Sequence, residues 1–290
     1  MFEEKLFKVD SGSRTISVGV RKGARQSSQQ EPVLVLLHGV TRMWRDWEPM
    51  IPFLSHDWTI YGIDQRGHGK SDRADSYLVR DYANDLIDLL EQNAFGDSVV
   101  LAGHSLGGMV AAETAAKAPQ RVRAAILEDP PWDTMGRAIL KTNWQSLFQG
   151  MQHVCKHAGS IDSMSHALGA IELTQADGTT VKLHQIRTDE ALRWSASCLS
   201  KLDPHVLDPL IDGSWLEGLD WKSSATAIQC PTILLQADFA AGGALNDQDA
   251  QFFSQTCRAC HWMRFPGKNH QLHGTIPGQI AGAIDQFLPK

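Results

Sequence analysis

The sequence predicts an α/β protein built on a mostly parallel, doubly wound sheet with one inserted helical cap. Short apolar runs of strand length alternate with helical stretches, which is typical of parallel strands buried on both faces. Residues 5–10 and 15–20 indicate an antiparallel hairpin at one edge of this sheet. The alternation stops between about Trp132 and Lys222, where the chain is mostly helical. We therefore expect a core of residues 1–131 and 223–290 and a cap, or lid, of residues 132–222.

The individual elements follow from local patterns. Residues 77–92 bring Leu78, Tyr82 and Leu86 to one face of a helix, because they recur at four-residue steps. Asn246 fits an N-cap for the helical stretch that follows it. The predicted core strands are VLVLLHG (33–39), WTIYGID (58–64), SVVLAGHS (98–105), RAAILED (123–129), TILLQAD (232–238) and HWMRFPG (261–267).

Composition excludes several classes of protein. A chain of 290 residues with 42% hydrophobic and 21% charged residues is typical of globular proteins with a large core. A net charge of −6 argues against nucleic-acid binding, and no apolar run reaches the ~18 residues that a membrane span needs. The charged N-terminus is unlike a signal peptide, and five scattered cysteines fit reduced thiols, so we expect a cytoplasmic protein. Nothing in the composition predicts the oligomeric state.

No cofactor or metal is predicted. The segment Cys257–His261 formally matches the C-x-x-C-H signature of haem attachment, but it lacks the export signal that this chemistry needs, so we attribute the match to chance. His153 and His157 lie four residues apart on a predicted helix, and no nearby carboxylate completes a metal site.

The segment GHSLGG contains a G-x-S-x-G pattern between a predicted strand and a predicted helix. In such an elbow the serine takes a strained backbone conformation that exposes its hydroxyl, and the glycines leave room for the turn. We predict Ser105 as the nucleophile, Gly103 and Gly107 as the glycines that permit the turn, and His104 as a residue that shapes it. The helix N-terminus below Ser105 adds partial positive charge where an oxyanion would form.

A second motif, LLHGV, ends another predicted strand at His38-Gly39. This ending lets a backbone N–H group point into the site. We therefore predict that the amides of Val40 and Leu106 form an oxyanion hole.

The segments LLHGV, YGIDQRGHGKSDR and VLAGHSLGGMVA, in this order, resemble the α/β-hydrolase superfamily with a helical cap. The resemblance covers nearly all of the chain outside the cap and implies an α/β-hydrolase fold. It implies a structural role for the turn at residues 64–69. It also implies a histidine base after the last strand, where the pattern Pro266-Gly267-x-x-His favours His270 and leaves His273 as the alternative.

The resemblance leaves the acid of a Ser-His-Asp triad open. Its commonest position falls on Ala240, and Asp238 lies two residues earlier, about 7 Å back along an extended chain. Some members take the acid from the end of the preceding core strand. That register favours Asp129, 24 residues after Ser105, and Glu128 is expected to point to the opposite face. We prefer Asp129, with Asp238 and Glu128 as alternatives.

These residues favour a cofactor-independent serine hydrolase that cleaves a carboxylic ester or lactone. Ser105 argues against the dehalogenase and epoxide hydrolase branches, which use an aspartate nucleophile. The tryptophan-rich cap predicts an apolar or aromatic small-molecule substrate, with Trp132, Trp194 and Trp215 as pocket candidates. C–C bond hydrolase, amidase and cofactor-free perhydrolase chemistry, or a non-catalytic receptor on the same fold, remain alternatives.

Overall fold

The computed structural model describes residues 2–23, 32–174 and 178–288. Eight strands form one sheet in the order β1-β2-β4-β3-β5-β6-β9-β10, and β7 and β8 form a separate pair. The first two strands are the antiparallel edge hairpin, β2 also pairs antiparallel with β4, and the remaining neighbours are parallel. The predicted fold class is therefore confirmed. The strands are β1 (Glu3–Val9), β2 (Arg14–Arg21), β3 (Val33–Leu37), β4 (Thr59–Asp64), β5 (Val99–His104), β6 (Val122–Glu128), β7 (Glu172–Thr174), β8 (Thr180–Lys182), β9 (Thr232–Ala237) and β10 (Cys260–Phe265).

Helices cover both faces of the sheet, and each face has its own apolar layer. Consecutive residues of a strand enter opposite layers, so Leu127 of β6 lies in one layer and Ile126 in the other. The α-helices are α1 (Val79–Glu91), α2 (Leu106–Lys117), α3 (Trp132–Met135), α4 (Asn143–His157), α5 (Ile161–Gly169), α6 (Leu183–Ile186), α7 (Asp189–Leu199), α8 (Asp208–Asp212), α9 (Trp221–Ala227), α10 (Asp247–Thr256), α11 (Leu272–Thr275) and α12 (Pro277–Asp285). None of the helices within the described ranges combines the length and the apolar character that crossing a bilayer requires.

The predicted elements and the observed ones differ mainly at their ends. Strand β3 ends at Leu37 rather than Gly39, and β9 ends at Ala237 rather than Asp238. The extra residues form the turns at the carboxyl edge of the sheet. Asn246 caps α10 as expected, because its side chain accepts a hydrogen bond from the Asp249 amide at 2.8 Å.

The segment between β6 and β9 is mostly helical, and the division of the chain into core and cap stays a prediction. The boundary between residues 222 and 223 falls inside α9. Asp220 caps this helix by accepting from the Ser223 amide, and Ser224 donates a hydrogen bond to Glu113 of α2. Helix α9 therefore packs against α2 through this hydrogen bond.

The elbow between β5 and α2 is tight and strained. Ser105 has φ 55° and ψ −115°, a conformation that residues with a side chain rarely adopt. A Cβ atom added to Gly103 would lie 2.0 Å from the Gly107 carbonyl oxygen, and one added to Gly107 would lie 2.2 Å from the Leu37 carbonyl oxygen. The two glycines thus let β5, α2 and β3 meet. Holding a serine in this geometry costs on the order of 1–3 kcal/mol.

This strain predicts an unusual order of stability for two variants. Ser105→Gly should have a free energy of unfolding about 1 kcal/mol higher than Ser105→Ala, because glycine adopts positive φ without strain. Urea unfolding of both variants measures the difference. The matched control is Ser197 in α7, where Ala should be more stable than Gly by about 1 kcal/mol. An Ala variant at position 105 as stable as the Gly variant would contradict the inferred strain.

Candidate active site

Asp129 stands at the carboxyl end of β6 and is fully buried, with φ 48°. Three backbone amides donate to its carboxylate: Ala237 at 3.1 Å, Ala244 at 2.7 Å and Leu245 at 3.3 Å. The fourth partner is Nδ1 of His270, 2.6 Å from Oδ2. The carboxylate is therefore held from one side by the chain around the end of β9 and from the other by a histidine.

His270 lies in the loop between β10 and α11, beside the elbow. Its ring centroid is 4.5 Å from that of His104, the residue before Ser105. The His104 Nε2 atom lies 3.0 Å from the His270 carbonyl oxygen, and since a carbonyl only accepts, His104 carries a proton on Nε2. Burial lowers the pKa of His104 well below its usual value, and His270 and His273 lower it further. His104 is thus a neutral donor that ties the His270 loop to the nucleophile turn.

The alternative acid Asp238 has a different set of partners. Its carboxylate accepts from the amide of Gly267 at 2.8 Å and from that of Ala240 at 2.9 Å. These two hydrogen bonds lower its pKa. Asp238 therefore caps the short turn after β9 and makes no contact with His270.

Glu128, the other alternative, points away from Asp129, as the alternation along β6 requires. Its side chain is fully buried and lies 2.8 Å from Nδ1 of His273. The two candidate acids of β6 thus hold the two candidate histidines separately, Asp129 with His270 and Glu128 with His273.

The amides predicted for the oxyanion hole flank the elbow. A Cβ added to Gly39 would lie 3.3 Å from Cβ of Ser105, so the chain at Gly39 and Val40 passes close to the serine. Leu106 provides the first amide of α2. Within the described residues, neither the Val40 amide nor the Leu106 amide donates to a protein acceptor, so both are available to a ligand.

Two of the three predicted pocket tryptophans are used for packing. The ring of Trp132 stacks on Trp221 at 4.8 Å and on Phe253 at 4.7 Å, and it is 1% exposed. Trp215 is fully buried, and its carbonyl accepts from the amide of Val79 at the start of α1. Both rings are therefore held in packing contacts, and their place in a substrate pocket stays a prediction.

The segment between β6 and β9 contacts Asp46 and His270 through other aromatic rings. Trp194 donates from Nε1 to Oδ1 of Asp46 at 2.7 Å. Trp144 meets His270 edge-on, with ring centroids 6.1 Å apart. Trp144 was visible in the sequence as one of the cap tryptophans, but nothing in its spacing distinguished it from the others.

Sequence reasoning also missed two arginines. Arg42 follows the turn at Gly39 and donates to the hydroxyl of Ser195 in α7 at 3.0 Å. Arg187 follows α6; it is exposed, and it lies close enough to Arg42 for the two positive charges to interact. No carboxylate of the described chain lies within ion-pair distance of Arg187, whereas the charge of Arg42 acts on the buried carboxylate of Asp46.

Three buried groups could hold a metal ion: Asp46, His104 and His273 each place one potential ligand atom within 4.8 Å of the others. His273 is already engaged by Glu128 through Nδ1 and lies 3.4 Å from Asp46 through Nε2. Ion pairing within the protein therefore accounts for this cluster.

Comparison with known proteins gives matches over parts of the chain and over the whole fold. A 2-(acetamidomethylene)succinate hydrolase from Mesorhizobium japonicum is 37% identical over 123 residues, which are 42% of this chain and 41% of that protein. The chain thus matches less than half the length of this curated relative.

Solved structures resemble the entire fold. The crystal structure of an E-2-(acetamidomethylene)succinate hydrolase has a TM-score of 0.72 at 21% identity and covers 99% of both chains. An N-formylmaleamic acid deformylase from Pseudomonas putida S16 has a TM-score of 0.74 at 18% identity, covering 97% of this chain and 100% of that one. At these identities the likeness shows the fold alone.

A family model described as the alpha/beta hydrolase fold matches residues 32–254, which run from the first core strand through the elbow and the inserted segment to α10. Since this match covers well over half of the chain and agrees with the observed sheet, the protein belongs to the α/β-hydrolase fold family.

Proposed function

We propose that the protein is a serine hydrolase that cleaves an acyl bond of a small molecule through Ser105, His270 and Asp129. The observation that carries this proposal is the 2.6 Å hydrogen bond between His270 and the buried Asp129, next to a strained serine elbow. The carboxylate keeps the His270 proton on Nδ1, which leaves Nε2 as the base. Nε2 has no partner within the described residues.

The chemistry follows from these positions. Ser105 Oγ attacks the acyl carbon while its proton passes to His270 Nε2, and the amides of Val40 and Leu106 receive the oxyanion. His270 then protonates the leaving group as the acyl-enzyme forms. Water gives a proton to His270, attacks the acyl carbon and releases the acid, and the proton returns to Ser105. Asp129 stabilises the imidazolium in both halves without taking up a proton.

The test compares two aspartates that differ in their contact with His270. Asp129→Asn should lower kcat by about 10³–10⁴-fold, because the amide favours the wrong tautomer of the histidine. Asp238→Asn is the matched control and should change kcat by less than about 3-fold, since its hydrogen bonds lie outside the pair. Hydrolysis of short p-nitrophenyl esters measures both, and a fluorophosphonate probe should label wild type but not Ser105→Ala.

Two results would contradict the proposal. Purified protein that neither hydrolyses these esters nor reacts with the probe at Ser105 would favour the receptor alternative. A larger loss with Asp238→Asn than with Asp129→Asn would move the acid role to Asp238.

The sequence favours a carboxylic ester or lactone as the bond that is cleaved. An amide is the second candidate. The names of two matched proteins, a 2-(acetamidomethylene)succinate hydrolase and an N-formylmaleamic acid deformylase, describe acyl groups on nitrogen in molecules that carry carboxylates. The same triad can act on either bond. Arg187 favours a substrate with a carboxylate, because among the described residues no acid compensates its charge.

This arrangement predicts a charge preference. Arg187→Gln should raise KM for p-nitrophenyl hemisuccinate by about 10-fold and leave p-nitrophenyl butyrate unchanged, because only the first ester carries a carboxylate. Arg193→Gln is the matched control, since that exposed cap arginine pairs with Asp162. Equal effects of Arg187→Gln on both esters would show that the arginine supports the cap rather than the substrate.

A further inference from the structure

A second acid–histidine pair lies beside the proposed catalytic one. Glu128 and Asp129 are consecutive, and His270 and His273 are three residues apart. His273 Nδ1 lies 2.8 Å from Oε1 and 3.0 Å from Oε2 of Glu128, and the His273 amide donates to Oε1 at 3.1 Å. The side chains of both residues are essentially inaccessible to solvent. The proposed mechanism does not use this pair.

The opposite edge of the His273 ring faces another carboxylate. Nε2 lies 3.4 Å from Oδ2 of Asp46, whose side chain is 2% exposed. The ring itself stacks on Trp47, with centroids 4.2 Å apart. The imidazole therefore lies between two buried carboxylates and has an apolar ring on one face.

The two flanking carboxylates favour a doubly protonated ring, although Nε2 is at ion-pair rather than hydrogen-bond distance from Asp46. A neutral imidazole has one N–H, so if Nδ1 donates to Glu128, the Nε2 lone pair would face the Asp46 carboxylate. An imidazolium has an N–H on each side and offsets part of the cost of burying two anions.

The remaining charged and titratable groups around the ring agree with this state. Arg42 acts on Asp46 from the other side and lowers the pKa of that carboxyl against the effect of burial. His104 meets the ring at 5.0 Å and is kept neutral by burial. Burial alone would lower the pKa of His273, but Glu128 and Asp46 together raise it to about 9.

We propose that His273 is an imidazolium bridge between Glu128 and Asp46 at neutral pH, and that this buried bridge positions His270 against Asp129 and holds the cap at Trp194. Asp46 connects the bridge to both places through two hydrogen bonds, which we call the limb to His270 and the cap limb. Oδ2 of Asp46 accepts from Nε2 of Gln271, the residue after His270, at 2.7 Å, and Oδ1 accepts from Trp194. His273 is thus a positioning residue, and the role rests on the proposed serine hydrolase function.

The charge state is tested on the wild-type protein by ¹⁵N NMR of labelled histidines at pH 8. A histidine of ordinary pKa is only about 3% charged there. We expect one imidazolium with both ring nitrogens protonated. A spectrum without it would overturn the proposal, and so would one divalent metal ion per chain by elemental analysis, because His273 would then be a neutral ligand.

Stability supplies an independent test with a defined sign. The pKa of His273 rises from 6.5, its ordinary value, to about 9 in the folded protein. The protonated ring therefore stabilises the fold fully below about pH 6.5, and this stabilisation is lost as the pH rises through about 9. The Tm difference between wild type and His273→Gln should therefore be largest near pH 6.5 and shrink by pH 10. A difference independent of pH, or a variant as stable as wild type throughout, would overturn the bridge.

Kinetics test the positioning role. Glu128→Gln should lower kcat and the rate of fluorophosphonate labelling by about 10- to 100-fold with little change in KM, because small displacements of a base cost that much. Trp194→Phe removes the hydrogen bond from the cap to Asp46 and should mainly raise KM. The matched control is Glu113→Gln, a buried glutamate that pairs with Lys117 at 2.7 Å away from the site and should change neither constant.

The outcomes separate the two proposals. A wild-type protein that does not react with the probe refutes the serine hydrolase function, whereas the NMR and Tm results still decide the bridge. An active, labelled wild type with an unchanged kcat in Glu128→Gln refutes the positioning role alone. If Glu128→Gln does not fold, kcat of Gln271→Met tests the limb to His270, and an unchanged value refutes that role.

Discussion

Two adjacent carboxylates, Glu128 and Asp129, are fully buried at the end of β6, and the rest of the site depends on how they are compensated. An ionised carboxylate buried without partners would cost far more than the net stability of a domain. Because neighbouring residues of a strand face opposite ways, each carboxylate needs its own set of donors. The chain after β9 provides backbone amides that donate to Asp129. The chain after β10 provides the histidines that bind both carboxylates. The loops at this edge of the sheet therefore have little freedom in where they run.

The fold and the central pair could be predicted because they follow from local rules. The apolar strands predicted the sheet, and the glycines around Ser105 predicted the elbow. The register counted from that serine predicted Asp129. The lack of a carboxylate at Ala240 favoured Asp129 as the acid, but the sequence did not reveal what the loop around Ala240 does instead. In the structure the loop after β9 turns back, so that Ala244 and Leu245 present amides to Asp129.

The parts that escaped prediction depend on long-range contacts. Asp46 has an acidic side chain in an unremarkable segment, and only the fold shows that it is buried between His273, Gln271 and Trp194. The cap tryptophans show the same limit. Enrichment in tryptophan is visible in the sequence, but the contacts of each ring depend on packing. Trp132 is covered by a stacked ring, whereas Trp144 meets His270 edge-on.

The amides that hold Asp129 belong to the backbone, and this has a consequence for how the protein can change. Any residue other than proline carries such an amide, so the exposed side chains of residues 239–241 can vary without loss of a hydrogen bond to the acid, whereas the buried Ala244 and Leu245 are also held by packing. The length of the loop is a different matter, because a deletion would move donors away from a buried charge. We therefore expect natural substitutions to concentrate at residues 239–241 and insertions and deletions to be rare throughout the loop.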